Sequence, residues 1–293
     1  MHLDPYIILG SAVVGFLVGM TGAGGGALMT PMLILLFGVT PSKAISSDLV
    51  AAVLMRPIGA GVHLRQRTVN LRLVRYMVIG SVPMAFLGAY VLSLMGHAKA
   101  AQTNIETALG AALLVGASAM LLRYVLDRRS GQARRGVVHE VTPRPLRTIA
   151  IGMIGGIVVG ITSVGSGSLM IVMLLLLYPS LSSGQLVGTD LVQVIPLVGA
   201  AALGHILFGD FELGLTSSLL VGAIPGVYFG ARISSRAPDG IIRPILVAVL
   251  LLSSVKLLGA SDDVVLGLFF VALGVGAVLG LRALRRQKVA TPG

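Results

Sequence analysis

Two short strings in this chain have the residue types that hold anions. Thr21-Gly22-Ala23-Gly24-Gly25-Gly26 and Thr162-Ser163-Val164-Gly165-Ser166-Gly167 each interrupt an apolar stretch. Glycine lets a backbone reach positive φ and approach a ligand closely, and the amides that open the following helix have no intrahelical acceptor. Those amides carry partial positive charge. Together with the hydroxyls of Thr21, Thr162, Ser163 and Ser166 they suit an oxyanion as substrate. Neither string runs on into Gly-Lys-Ser/Thr, which excludes a P-loop. A single Gly-rich string in an apolar helix more often reports close helix packing, but two copies at matching interruptions turn the reading toward a site.

Five further side chains could act on an anion or on protons. Arg56 lies near the middle of an apolar span, where a guanidinium is costly unless it meets an acid, a carbonyl or an anionic ligand. It reads either as a cargo contact or as a structural pair that reaches the interface. Asp48 and Asp190 fall at equivalent places, in the expected first turns of their helices; the helix dipole alone would favour an acid there, and coupling to an ion or proton is the functional alternative. His63 and His205 also correspond and titrate near neutral pH, so helix-end capping stands beside proton coupling. No HExxH spacing, paired carboxylates or Ser/His/Asp set lies at one depth. The expectation is therefore no catalytic residue, no metal site, no cofactor and no enzyme.

These residues sit on a duplicated frame. GFLVGMTGAGGGALM from Gly15 matches GIVVGITSVGSGSLM from Gly156 at an offset of 141 residues. After one inserted residue, Ser47–Val50 lies over Thr189–Val192 and His63 over His205. Gly80–Ala89 then lies over Gly222–Ala231, pairing Pro83 with Pro225 and Gly88 with Gly230 as kinks or close-packing points. Many of the shared residues are polar, Gly or Pro, which common apolar composition does not produce.

Each half reads as a broken apolar hairpin followed by three longer helices. The first half has its hairpin at 6–37 and helices at 44–64, 71–95 and 104–124. The second has its hairpin at 149–178 and helices at 186–208, 211–235 and 241–258, and an unmatched helix follows at 264–281. The organisation expected is a first repeat over 1–127, a basic linker over 128–146, a second repeat over 147–258, and an extra helix with a basic tail over 259–293. Hairpin arms of about 13 to 16 residues reach only about 20 to 24 Å, so re-entrant arms fit better than full spans.

Composition fixes the setting. Of 293 residues 55 % are hydrophobic and 11 % charged, and the mean hydropathy is +0.96, so the fold class is an all-α polytopic membrane protein. The alternation of a membrane β-barrel is missing. The net charge of +11 comes from short basic runs between apolar segments, which are topology signals and leave no nucleic-acid face. The start has no basic run before its apolar stretch, so no cleaved signal peptide is expected.

Charge also sets orientation. Arg65, Arg67, Arg72 and Arg75 mark one loop as cytoplasmic, while the equivalent loop, Gly209-Asp210-Phe211-Glu212, carries only acid. The halves should therefore be inverted, with the N-terminus outside and the C-terminus inside. Three full helices per half, an odd number, require the same inversion.

The motif GxxxGxTGxGGG or GxxxGxTSxGSG, each copy with an apolar half-helix, a Ser/Thr-Asp-Leu segment and a Gly-x-x-Pro-x-x-x-x-Gly-Ala string, resembles the sulfite exporter TauE/SafE family, also called the four-toluene sulfonate uptake permease family. The resemblance runs from Tyr6 to Leu258. It implies a bacterial inner-membrane carrier of sulfite, sulfoacetate, organosulfonates or related sulfur anions, with the two Gly-rich breaks as the substrate site. Ala23 and Val164 at the break centres would narrow that site. Partners expected are the anion, membrane lipid, protons as a coupling ion and a second copy in a homodimer. An anion channel and a scaffold or assembly factor without transport activity are the alternatives.

Overall fold

The computed structural model describes residues 3–21, 25–65, 69–96, 98–129, 141–234 and 239–270. In chain order the helices are α1 (Pro5–Thr21), α2 (Gly26–Phe37), α3 (Pro41–Arg65), α4 (Leu71–Leu94), α5 (Lys99–Arg129), α6 (Pro145–Thr162), α7 (Leu169–Leu177), α8 (Ser183–Phe208), α9 (Leu213–Ser234) and α10 (Asp239–Leu257). Residues 262–270 are helical again, where the extra C-terminal helix was expected. Its later residues, and 130–140 of the expected linker, lie outside the described residues. The fold is all-helical: two halves, each a broken hairpin and three helices, plus the added helix.

Local chemistry explains where the elements begin and end. Pro145 opens α6 at the position where a missing N–H costs nothing, and Gly38 ends α2 in the left-handed conformation. Asn70 caps α4 by accepting from the Leu73 amide. Ser182 and Gln185 form a reciprocal capping box on α8. Pro41 and this box start α3 and α8 about one turn earlier than expected. Asp48 and Asp190 are consequently each the eighth residue of their helix, past the first turn where the dipole would account for them.

The hairpin arms are unequal. α1 and α6 have 17 and 18 residues, longer than expected, and rise about 26 and 27 Å. α2 and α7 have 12 and 9 residues and rise only about 18 and 14 Å, well short of the roughly 30 Å hydrocarbon layer. α7 nevertheless returns to the start of α6, where the Tyr178 hydroxyl accepts from the Arg144 amide at 2.7 Å and meets Thr148 Oγ1 at 2.6 Å.

Among the described residues, five stretches are long and apolar enough to cross a membrane: Leu71–Leu94, Lys99–Leu122, Pro145–Thr162, Gly184–Phe208 and Leu213–Gly230. α3 has the length, 25 residues, but carries Lys43, Asp48, Arg56 and Arg65. Large apolar side chains such as Tyr6, Leu9, Leu71, Ile206 and Leu207 stay exposed on the outside of the bundle, as lipid contact requires.

Glycine seams lock the halves together. On α9, Gly222, Gly226 and Gly230 abut the α1 backbone at Ile8, Ala12 and Phe16, so closely that a Cβ would collide with carbonyl oxygens. On α6, Gly152, Gly156 and Gly160 abut α4 at Met77, Ser81 and Ala85 in the same way. In lipid, where apolar burial gives no drive, close approach of this kind supplies the packing. The seams are copies of one another: Gly80 meets Ile149 as Gly222 meets Ile8, and Gly156 meets Ser81 as Gly15 meets Ala223. Each hairpin thus packs on a helix of the opposite half.

The seams also give the direction of every helix they join. Residues 8, 12 and 16 of α1 meet 222, 226 and 230 of α9 in order, so these helices run parallel; α6 runs parallel to α4 by the same criterion. α4 runs with α8, since Asn70 bonds Thr189 and Gly204 packs on Phe86 and Ala89. α8 turns back into α9 through residues 209–212. The equivalent helices α1 and α6 therefore point in opposite directions, and the repeat is inverted.

Candidate functional site

The two breaks touch. A Cβ on Gly26 would strike the Ser163 carbonyl, so the start of α2 lies directly on the interruption between α6 and α7. Gly25 and Gly26 are buried here. Gly22 and Gly24 lie outside the described residues, as does the side chain of Thr21, which ends α1. Neither Gly25 before α2 nor Ser168 before α7 caps its helix with a side chain; the Leu28 and Met29 amides bond the Gly25 carbonyl and the Met170 amide the Gly165 carbonyl.

The second break has an unusual backbone. Ser163 ends α6 at φ 59, and Gly165 and Gly167 follow at φ 124 and 84, values that only glycine adopts readily. Thr162 holds this turn: its hydroxyl donates to the Val158 carbonyl at 2.7 Å and accepts from the Val164 amide at 3.2 Å. Thr162 is thus spent on shaping the break. Val164 turns away into an apolar cluster with Leu28, Leu109, Leu113 and Leu246. Ser163 and Ser166 remain to face the polar interior, both almost fully buried.

Helix α3 brings charge to this point. Arg56 is buried and its Nη2 donates to Ser166 Oγ at 2.9 Å, a bond from one half to the break of the other. Asp48, two turns earlier on α3, is wholly buried. Its Oδ2 accepts from Ser163 Oγ at 2.6 Å and from Thr30 Oγ1 of α2 at 2.9 Å. Among the described residues its Oδ1 has no hydrogen-bond partner. Asp190 lies within electrostatic reach of Arg56, as Asp48 does. Since Asp48 and Arg56 are residues 8 and 16 of α3, the breaks lie about 12 to 24 Å along a helix about 37 Å long, in its middle third.

The polar equivalents differ between halves. Asp190 accepts from Gln193 Nε2 at 3.1 Å, and that amide is also within 2.8 Å of Met170 Sδ. Arg56 has Val198 as its repeat counterpart, a buried apolar residue. The scaffold is duplicated, while the cation is single.

His205 does not cap its own helix as the sequence suggested. Wholly buried, it has Nε2 at 2.8 Å from the Gly160 carbonyl and Nδ1 at 2.8 Å from Ser46 Oγ. The carbonyl can only accept, so Nε2 carries the proton and Nδ1 accepts from the serine. The ring ties α8 to α3 and to the end of α6. The side chain of His63 lies outside the described residues.

Thr30, Gln193 and Ser46 escaped the sequence reading. Thr30 gave the clearest signal, a lone hydroxyl in the apolar helix GALMTPMLILLF. A cavity of about 10 Å³ lies beside Ser166, Gly167 and Ser168, with room for no more than a water molecule. Among the described residues no group of three or more His, Cys, Asp or Glu is placed to hold a metal ion.

Inverted halves, each with a hairpin broken in the interior of the bundle, are the frame of many membrane transporters. The chain belongs to the sulfite exporter TauE/SafE family, whose profile matches residues 7–257. It is 39% identical over 253 residues to the probable membrane transporter protein YjnA of Bacillus subtilis, covering 86% of this chain and 98% of that one. It is 25% identical over 239 residues to the probable membrane transporter protein YdhB of the same organism, covering 81% and 93%. No solved structure matches it.

Proposed function

We propose that this protein exports small sulfur-containing anions, such as sulfite, sulfoacetate or an organosulfonate, across the bacterial inner membrane by alternating access. The anion lies between the breaks, held by Arg56, by the Ser163 and Ser166 hydroxyls, and by amides of Gly25, Gly26, Gly165 and Gly167. The N-terminus faces outward and the C-terminus the cytoplasm, as the basic loops favour. The observation that carries this reading is the 2.9 Å bond from buried Arg56 to Ser166. It supports a cation held at the break of the opposite half, where rocking of the halves would make and break its contacts.

The test is flux from proteoliposomes loaded in turn with sulfite, thiosulfate, sulfoacetate, isethionate and taurine. The reading expects saturable efflux of at least one sulfur anion, accelerated by the same anion outside, and lost in Ser166→Leu. Unsaturable flux without counterflow would point to a channel. No flux of any anion, with stoichiometric co-purification of another protein, would point to a scaffold.

A further inference from the structure

Asp48 is itself an anion, and it already occupies the donors that a cargo anion would need. Its Oδ2 takes the hydroxyl protons of Ser163, from the second break, and Thr30, from α2 beside the first. Arg56 is the charged group whose field reaches it. The carboxylate is wholly buried and its Oδ1 is unsatisfied, an arrangement that costs energy without an evident structural return. A sulfonate or sulfite presents the same kind of oxygen to the same hydroxyls and guanidinium.

Charge balance then decides how the two anions exchange. Arg56 supplies one positive charge, and Asp48 and Asp190 both lie in its field. The remaining ionisable groups on elements packed against α3 are His205 on α8, Lys99 and Glu106 on α5 with Arg123, Tyr124, Asp127, Arg128 and Arg129 in its last turns, and Tyr228 and Arg232 on α9. α2 contributes none. His205 is turned to Ser46 and the Gly160 carbonyl. Adding a second full negative charge beside an ionised Asp48, away from water, is strongly unfavourable.

We infer that Asp48 is a tethered competitor for the cargo site: the cargo anion displaces its carboxylate from Ser163 and Thr30 as Asp48 takes up one proton. The proton comes from water and rests on the carboxyl, whose Oδ1 is free to receive it. The cargo replaces the charge that Asp48 gives up, so the negative charge beside Arg56 is the same before and after, and cargo and proton occupy the protein together. This inference rests on the anion-carrier reading above.

The experiment is isothermal titration of purified protein with isethionate, and with thiosulfate, in buffers of different ionisation enthalpy. Neither probe takes up a proton itself in the range where carboxyl groups titrate. At least one proton should enter per anion bound, and affinity should fall by about tenfold per pH unit where Asp48 is ionised in the empty protein. Infrared difference spectra should gain a protonated-carboxyl band on binding. In Asp48→Asn, whose amide stands in for the protonated acid, binding should persist, lose its pH dependence and lose the band. Binding by the wild-type protein without proton uptake overturns the inference and leaves the carrier reading intact, as does an unchanged pH profile in Asp48→Asn. Failure of every sulfur anion to bind the wild-type protein removes both. The proton count on the wild-type protein decides the matter whether or not the variant folds.

Discussion

Gly222→Ala and Gly199→Ala make the same chemical change and should shift stability in opposite directions. At Gly222 the new Cβ would enter the carbonyl of Ile8 and the hydroxyl of Ser11, and the backbone atom cannot swing aside. α1 and α9 must separate. Forcing one methyl into a packed contact costs about 1–3 kcal/mol, and a kcal/mol moves the melting temperature of a chain of this general size by about 2–4 °C. A fall of roughly 2–12 °C follows. At Gly199, on α8, a Cβ meets nothing within 4 Å, so the substitution gains up to about 1 kcal/mol of helix propensity and leaves the melting temperature level or slightly higher. Gly80→Ala, the repeat counterpart of Gly222, should fall by a similar amount because it meets Ile149 as Gly222 meets Ile8. Thermal unfolding in detergent, followed by circular dichroism, reads all three. Equal shifts for Gly222→Ala and Gly199→Ala would refute the seam, and a silent Gly80→Ala would refute its duplication.

Ser46→Ala removes the hydroxyl placed on His205 Nδ1 and should destabilise the protein by about 1–3 kcal/mol, checked by the same melts. Lys43→Ala breaks an exposed pair with Glu212 at 3.3 Å and should cost less than about 1 kcal/mol. The chain has no cysteine, so Thr40→Cys and Ser180→Cys each create a single thiol without background. A membrane-impermeant maleimide added to intact cells should label Thr40→Cys only, since the equivalent loops face opposite sides. Labelling of both from outside would contradict the inversion.

The frame was legible because its requirements are repetitive. Glycines at Gly80, Gly156 and Gly222 serve backbone contact, which no other residue permits, so the duplication keeps them at fixed spacing in the sequence. Charge in the loops gave the inversion that the parallel seams independently show. Arg56 stood out as a cation in an apolar span, but its target, Ser166, lies 110 positions away, and no local pattern links them. Thr30 and Gln193 leave no signal because single polar residues on apolar helices have no period; the packing of α2 on α3, and of α8 on α4 and α7, brings them partners from distant parts of the chain. The placement of Asp48 went astray by about one turn, because Pro41 starts α3 ahead of its apolar run. His205 was assigned to its own helix end, since nothing along the chain reveals Gly160 and Ser46 on either side of its ring.

The most direct measurement of the carrier account is efflux of sulfite and isethionate from proteoliposomes carrying wild-type protein, Arg56→Lys or Arg56→Gln, with folding verified by melting. A buried cation that holds the cargo predicts at least a tenfold loss of flux in Arg56→Gln, about 1.4 kcal/mol or more of lost binding, and partial recovery in Arg56→Lys. Full flux through a folded Arg56→Gln would contradict it.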